Sequence, residues 1–192
     1  MHLVVGLGNP GEEYAGTRHN VGFMVAEHFR RAQGLVRLRR RYGGRYCEGA
    51  AGGQHVAVLF PLTYMNRSGD AVAEAAAGKH ISPKSITVVH DDLDFPLGVV
   101  RVRRGGGSGG HKGLESICAS LGSAGFNRVR VGIGRPAAAP ADVSDFVLSP
   151  FDKEETGLEA AVDKAVECVD AIIREGIEAA MDRCNQRRGR PE

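Results

Sequence analysis

The 192-residue chain has no tryptophan, only four cysteines and no long apolar run, and each shortage bears on the class of protein it can be. A membrane-spanning helix needs about 20 predominantly apolar residues, and no stretch approaches that. Gly6 breaks the first apolar run before it could act as the core of a signal peptide. The expectation is a cytoplasmic protein with no membrane partner. Cys47, Cys118, Cys168 and Cys184 have no CxxC spacing and stand in apolar or helical surroundings, which predicts reduced, mostly buried thiols and neither a zinc site nor a disulfide framework. No Gly-Lys-Ser/Thr closes a glycine loop at the Walker spacing, which excludes a P-loop. Glycine, in contrast, is abundant at 27 residues.

The length suits one domain with a proper core, predicted over residues 1–186, with a basic tail at 187–192 that frays. Charge is unevenly spread. Residues 1–141 carry 18 basic and 10 acidic side chains, residues 142–182 carry 3 and 12, and residues 183–192 carry 4 and 1. A basic body attracts a polyanion, while the acidic segment solvates the far side or repels that ligand from it.

The first twenty residues organise the rest. Leu3-Val4-Val5 reads as a strand, Gly6 to Gly16 as a glycine-rich loop, and Val21 to Arg31 as an amphipathic helix. Gly6-x-Gly8-x-x-Gly11 matches the dinucleotide fingerprint, but its geometry fails here. Pro10 has no N–H to give to a pyrophosphate, and the acid at about the right distance, Glu27, lies inside the helix. The loop instead delivers Asn9 and His19 to one end of a sheet. Just before a helix, the macrodipole disfavours a cation, and a neutral imidazole is what a general base requires. The competing reading is that His19 or Asn20 only caps the helix.

Further along, Val36 and Leu38 alternate with Arg37, Arg39 and Arg41 as in a strand with a basic face, and Arg45 to Ala50 and His55 to Phe60 complete a meander at the sheet edge. A helix follows from about Arg67 to Lys79. Ser85 to His90 reads as a buried strand ending in His90-Asp91-Asp92-Leu93-Asp94, and the carboxyl end of a central strand is where open α/β sheets place their sites. Those carboxylates could hold Mg²⁺, one of them could orient a histidine, or they could serve only the turn. Arg101 and Arg103 share one face of a strand over 98–104, and Arg128 and Arg130 share one face of a strand from 128 to 134. Between them, Gly105 to Gly113 runs into a helix over Leu114 to Leu121, offering backbone N–H groups to an anion. A Pro/Ala loop over 136–141, a long helix from Leu158 and a short one over Ile177 to Cys184 close the chain.

Together Gly6 to Gly11 with Tyr14, Thr17-Arg18-His19-Asn20, Thr63-Tyr64-Met65-Asn66 with Ser68-Gly69, His90 to Asp94 with Pro96 and Gly98, Gly105 to Gly113, and Arg130 to Gly134 resemble the bacterial-type peptidyl-tRNA hydrolase family. The match runs from residue 3 to the final helix. The resemblance implies a single α/β domain, a twisted mixed sheet flanked by helices, acting as a monomer. It implies hydrolysis of the ester between a peptide and the 3′-terminal ribose of tRNA, without metal or cofactor, recycling tRNA from stalled or aborted translation. By that similarity His19 is the general base, Asp91 its orienting carboxylate, and Asn9 and Asn66 hold the substrate at the scissile bond. Tyr14 and Tyr64 line the site. The residues themselves add that the arginine rows, Arg101, Arg103 and Arg130, supply phosphate contacts. The resemblance lowers the magnesium reading of the aspartates. Lys112 departs from the family pattern, which commonly has asparagine there, and as a donor only it suits a phosphate. Organellar splicing factors that bind RNA on the same scaffold are the non-enzymatic alternative.

Overall fold

In the computed structural model, which describes residues 1–135, 143–152 and 155–186, strand alternation divides the core into two faces. Leu3 and Val5 of β1 (His2–Gly6) pack on one side and Val4 on the other, all fully buried. Seven strands form one mixed sheet in the order β2-β3-β4-β1-β5-β7-β6. The meander is β2 (Arg39–Arg41), β3 (Gly44–Ala51) and β4 (Gln54–Pro61), each antiparallel to the next. β4, β1, β5 (Ile86–Asp92) and β7 (Asn127–Gly132) are parallel neighbours, and β6 (Val100–Arg104) returns antiparallel along β7 at the other edge. The α1 (Val21–Ala32), α5 (Leu158–Glu175) and α6 (Ile177–Cys184) helices contribute to the core on the Val4 side. α2 (Ser68–Lys79) and α3 (Lys112–Leu121) contribute to the other. Parallel strands covered on both faces read as near-continuous apolar runs, as Ile86 to Val89 does apart from Thr87. Buried Thr87 is satisfied by His2, whose Nε2 lies 2.8 Å from its hydroxyl.

The chain leaves β1 towards the meander on one side and reaches β5 on the other. That places a topological switch at the carboxyl end of β1, where open α/β sheets hold their ligands. Close approach of α1 to the sheet fixes the glycines there. A Cβ on Gly22 would lie 2.6 Å from the Leu7 backbone, and one on Gly6 would lie 2.7 Å from Ala26 Cβ. These glycines admit a helix to the sheet, and α1 begins ten residues after Gly11, so no helix N-terminus opens inside the glycine run. A short 3₁₀ turn, Glu12–Tyr14, occupies part of the expected loop.

Three expectations change. The edge strand is shorter than its alternation suggests, because only residues 39–41 pair with β3 and Val36 is 76% exposed. A helix not foreseen in the sequence, α4 (Val143–Leu148), follows the Pro/Ala segment. Cys168 and Cys184 form a disulfide, against the expected reduced thiols, whereas Cys47 and Cys118 are free. The turn at Gly176 brings the buried faces of α5 and α6 together with these two Cα atoms 6.1 Å apart, a proximity that a spacing of 16 residues does not reveal. The tail at 187–192 and the loop at 136–142 lie outside the described residues. No described helix is long and apolar enough to cross a membrane.

Candidate active site

The loop after β1 is locked by two asparagines. Asn20 does not cap α1, which has no side-chain cap. Its Oδ1 accepts from the Asn9 backbone N–H at 2.8 Å and its Nδ2 donates to the Asn9 carbonyl at 3.0 Å. Asn9 Oδ1 in turn accepts from the Met65 N–H at 2.8 Å, so the remaining hydrogen-bonding group of the Asn9 side chain is its amide N–H₂, a donor at the cleft. Asn9 and Asn20 are both buried, and the same 3₁₀ turn that holds Asn20 carries His19.

His19 Nδ1 lies 2.9 Å from Asp91 Oδ1. The same oxygen lies 2.9 Å from Nε2 of His111, a residue sequence reasoning did not single out. The backbone dictates the tautomer of His111. As N-cap of α3, its Nδ1 accepts from the Gly113 and Leu114 N–H groups, so Nε2 is the nitrogen that bears hydrogen and donates to Asp91. These are N–H groups that the sequence reading offers to a phosphate, and the imidazole takes them instead. Asp91 Oδ1 is thus a common acceptor for two imidazoles whose rings are 5.0 Å apart. Burial, the strongest influence on Asp91, raises its pKa. His111 and then His19 together outweigh it and hold the carboxyl well below the usual range. His90, on the same strand, donates from Nδ1 to the Asp91 carbonyl at 2.7 Å and meets His111 edge to face. Burial and the neighbouring His111 push its pKa down to about 3.

His19, Asp91 and His111 bring potential metal-ligand atoms within 4.8 Å of one another. With N–H groups on the carboxylate side, however, the cluster is satisfied as a hydrogen-bonded relay. Relaying through Nδ1 leaves His19 Nε2 with no hydrogen-bond partner among the described residues.

A cleft of about 910 Å³ opens over this cluster. Asn9, His19, Tyr64, Asn66, Asp91, Arg103, Lys112 and Arg130 line it, and so do Val143 and Leu148 of α4. Tyr64 is 63% exposed at the mouth. Lys112 stands on the rim with its ammonium 3.2 Å from Glu115. Tyr14 and Arg101 are not among the lining residues. Tyr14 contributes its carbonyl to the Thr17 hydroxyl, and Arg101 donates to the Val100 carbonyl. Arg130 is held by Asp92 at 2.6 Å and stacks on Phe95. Buried Arg128 donates to the Gly106 and Gly107 carbonyls and so shapes the glycine loop from beneath.

The α4 side is clamped to the loop after β1 that carries His19. Arg18, next to His19 in the chain, is buried and donates to both Glu155 oxygens at 2.9 and 2.6 Å. Its guanidinium packs on Phe146 and Phe151, and its backbone N–H donates to the Ser149 carbonyl.

A relayed imidazole and an amide donor in one cleft, at the switch point of an α/β sheet, form an arrangement able to activate water against a carbonyl, the chemistry of a hydrolase. The family model for peptidyl-tRNA hydrolase matches residues 3–192. Peptidyl-tRNA hydrolase of Syntrophotalea carbinolica is 45% identical over 188 residues, 97% of this chain and 98% of that protein. The Symbiobacterium thermophilum enzyme of the same name is 47% identical over 95% of this chain and 98% of its own length. The crystal structure of peptidyl-tRNA hydrolase from Acinetobacter baumannii superposes with a TM-score of 0.89 at 38% identity, covering 96% of this chain and 94% of that one. The chain belongs to the peptidyl-tRNA hydrolase family.

Proposed function

We propose that this chain hydrolyses the ester joining a peptide to the 3′-terminal ribose of tRNA, releasing free tRNA and peptide, with His19 as general base. The observation that carries the assignment of the base is the shared Asp91 oxygen. It takes the Nδ1 hydrogen of His19 and leaves the Nε2 lone pair for a water molecule. Nε2 removes a proton as the water oxygen bonds to the ester carbonyl carbon. The Asn9 amide, fixed as a donor by Met65, and Asn66 steady the developing oxyanion. Collapse breaks the bond to the ribose oxygen, and the imidazolium returns its proton to that leaving group.

Tyr64 borders the place of the terminal nucleotide. Lys112 and Arg103 supply sequence-independent phosphate contacts at the rim, where positive charge adds to affinity more than to rate. The protein works as a cytoplasmic monomer in recycling tRNA from stalled or aborted translation. The test is steady-state turnover of an N-acetyl-aminoacyl-tRNA. His19→Ala loses on the order of 10² to 10⁴ in kcat while tRNA still binds. A variant with near-normal kcat would remove His19 from the role of base, and an unaltered chain with no turnover would leave an RNA-binding protein on this scaffold.

A further inference from the structure

Between Glu27 and Glu48 the chain carries seven arginines, Arg30, Arg31, Arg37, Arg39, Arg40, Arg41 and Arg45, and no acidic residue or lysine. Four are occupied. Arg30 and Arg31 pair with Glu27, Arg39 pairs with Glu48, and Arg41 lies over the Tyr42 ring. Arg37, Arg40 and Arg45 have no carboxylate partner among the described residues.

Arg40 and Arg45 stand directly opposite each other in the β2–β3 ladder. Like charges at facing positions destabilise a sheet, and an edge strand can spare them easily. Here both are retained and exposed, with Arg45 braced on the Phe60 ring. Together with Arg31 they border a shallow hollow lined also by Phe23, Met24 and Asn9 and by two carboxylates, Glu12 and Glu27, of which Glu27 is paired with Arg30 and Arg31.

The pairing registers place this hollow at the same end of the sheet as the active site. Arg45 faces Phe60 of β4, and β4 runs parallel to β1 with Leu59 beside Val5. It lies on the far side of the catalytic loop from Arg103 and Arg130. Arg40 is three strands from β1, or roughly 14 Å at about 4.8 Å per strand step. At about 3.4 Å per nucleotide along a stacked strand, that is about four nucleotides.

We propose that Arg40 and Arg45 form a second contact for the sugar-phosphate backbone of the tRNA substrate, away from its terminal nucleotide and without sequence reading. The proposal rests on the peptidyl-tRNA hydrolase reading above. The guanidinium fork binds phosphate oxygens in pairs, and a phosphate between Arg40 and Arg45 relieves the repulsion that the empty ladder carries. Two basic ridges then flank the catalytic loop, one on β2–β3 and one on β6–β7, so that a duplex stem is held across the carboxyl end of the sheet.

The experiment compares two substrates, whole N-acetyl-aminoacyl-tRNA and the same ester on adenosine alone, with Arg40→Gln, Arg45→Gln and the double variant. For whole tRNA the double variant raises KM about tenfold and lowers the slope of log KM against log salt by about two units, each single variant by about one. The adenosine ester is turned over as by the unaltered chain, which also verifies the fold. Arg40→Gln keeps the test valid even if Arg45→Gln disturbs the packing on Phe60, because Arg40 is exposed and pairs with no carboxylate or ring among the described residues. An unchanged KM and salt slope for whole tRNA overturns the second contact. Equal losses on both substrates also overturn it, since they place the effect at the catalytic loop. Failure of the unaltered chain on both substrates would instead refute the hydrolase reading itself.

Discussion

Asp91→Asn isolates the charge of the carboxylate from its shape. The amide oxygen can still accept from both His19 and His111, so the change removes mainly the negative charge beside an imidazole that, as the proposed base, becomes cationic in the transition state. The nitrogen-to-oxygen distance is 2.9 Å, which puts the charge centres about 4 Å apart, and the Asp91 and His19 side chains are 3% and 12% exposed. At an effective dielectric constant of about 20, such a pair is worth about 4 kcal/mol. One decade of rate corresponds to about 1.4 kcal/mol, so kcat falls by about 10³. KM for N-acetyl-aminoacyl-tRNA stays within about twofold, because the charge acts on the transition state and not on the bound ester. The assay is single-turnover release of N-acetyl-amino acid at saturating enzyme, with tRNA affinity measured in parallel. A loss of less than about tenfold would show that the carboxylate serves only to hold the ring, and the electrostatic part of the mechanism would fall.

Asn9→Asp keeps the acceptor for the Met65 N–H but replaces the amide donor with a carboxylate oxygen, so kcat falls by about 10² to 10³, as for loss of an oxyanion donor; unchanged hydrolysis would exclude that role. Gly22→Ala sets a methyl group 2.6 Å from the Leu7 backbone, and α1 cannot stay seated. Urea unfolding should reveal a loss of about 3 kcal/mol or more, and a loss under about 1 kcal/mol would contradict the tight approach. His2, pushed down to about 4 by burial and then by the N-terminal ammonium, is neutral in the fold and takes up a proton on unfolding below its ordinary value of 6.5. Its contribution is complete above pH 6.5 and declines as pH drops towards 4, so His2→Gln should gain about 2 kcal/mol relative to the unaltered chain between pH 7 and pH 5. Parallel stability curves across that range would rule out the buried neutral histidine.

Much of this architecture is legible along the chain because hydrophobic periodicity is local. β1 and β5 announce themselves as β-branched runs, and Asn9, just after β1, and Asp91, at the end of β5, line one cleft because the strands are neighbours. His111 escapes that logic. Its part in the site depends on its Nδ1 being taken up by the α3 backbone, and a histidine at the end of a glycine tract suggests an anion loop first. A signal was available nonetheless, since His111 stands before α3 much as His19 stands before α1. Asn20 was readable as a cap, the commonest use of asparagine at that position, and only the tertiary approach of the loop reveals it as the clasp of Asn9. The arginine row on β7 divides for the same reason. Period-two alternation puts Arg128 and Arg130 on one face, but the glycine loop covers the first and leaves the second beside Asp92. The disulfide and α4 depend on how distant segments fold back, which neither spacing nor composition encodes.

The Arg18 clamp has a consequence for transplantation between relatives. Ser149 and Glu155, downstream of α4, are fastened to Arg18, the residue before His19, whose guanidinium has almost no access to water. Detaching the segment from α4 to Glu155 would take the Glu155 carboxylate and both phenylalanine rings away from that guanidinium, since all three belong to that segment. A chimera that imports this segment therefore inherits a working active site only if its donor brings a carboxylate for Arg18 and an aromatic bed for the guanidinium. Whatever is grafted through α4 travels as one module with Arg18, the residue next to His19.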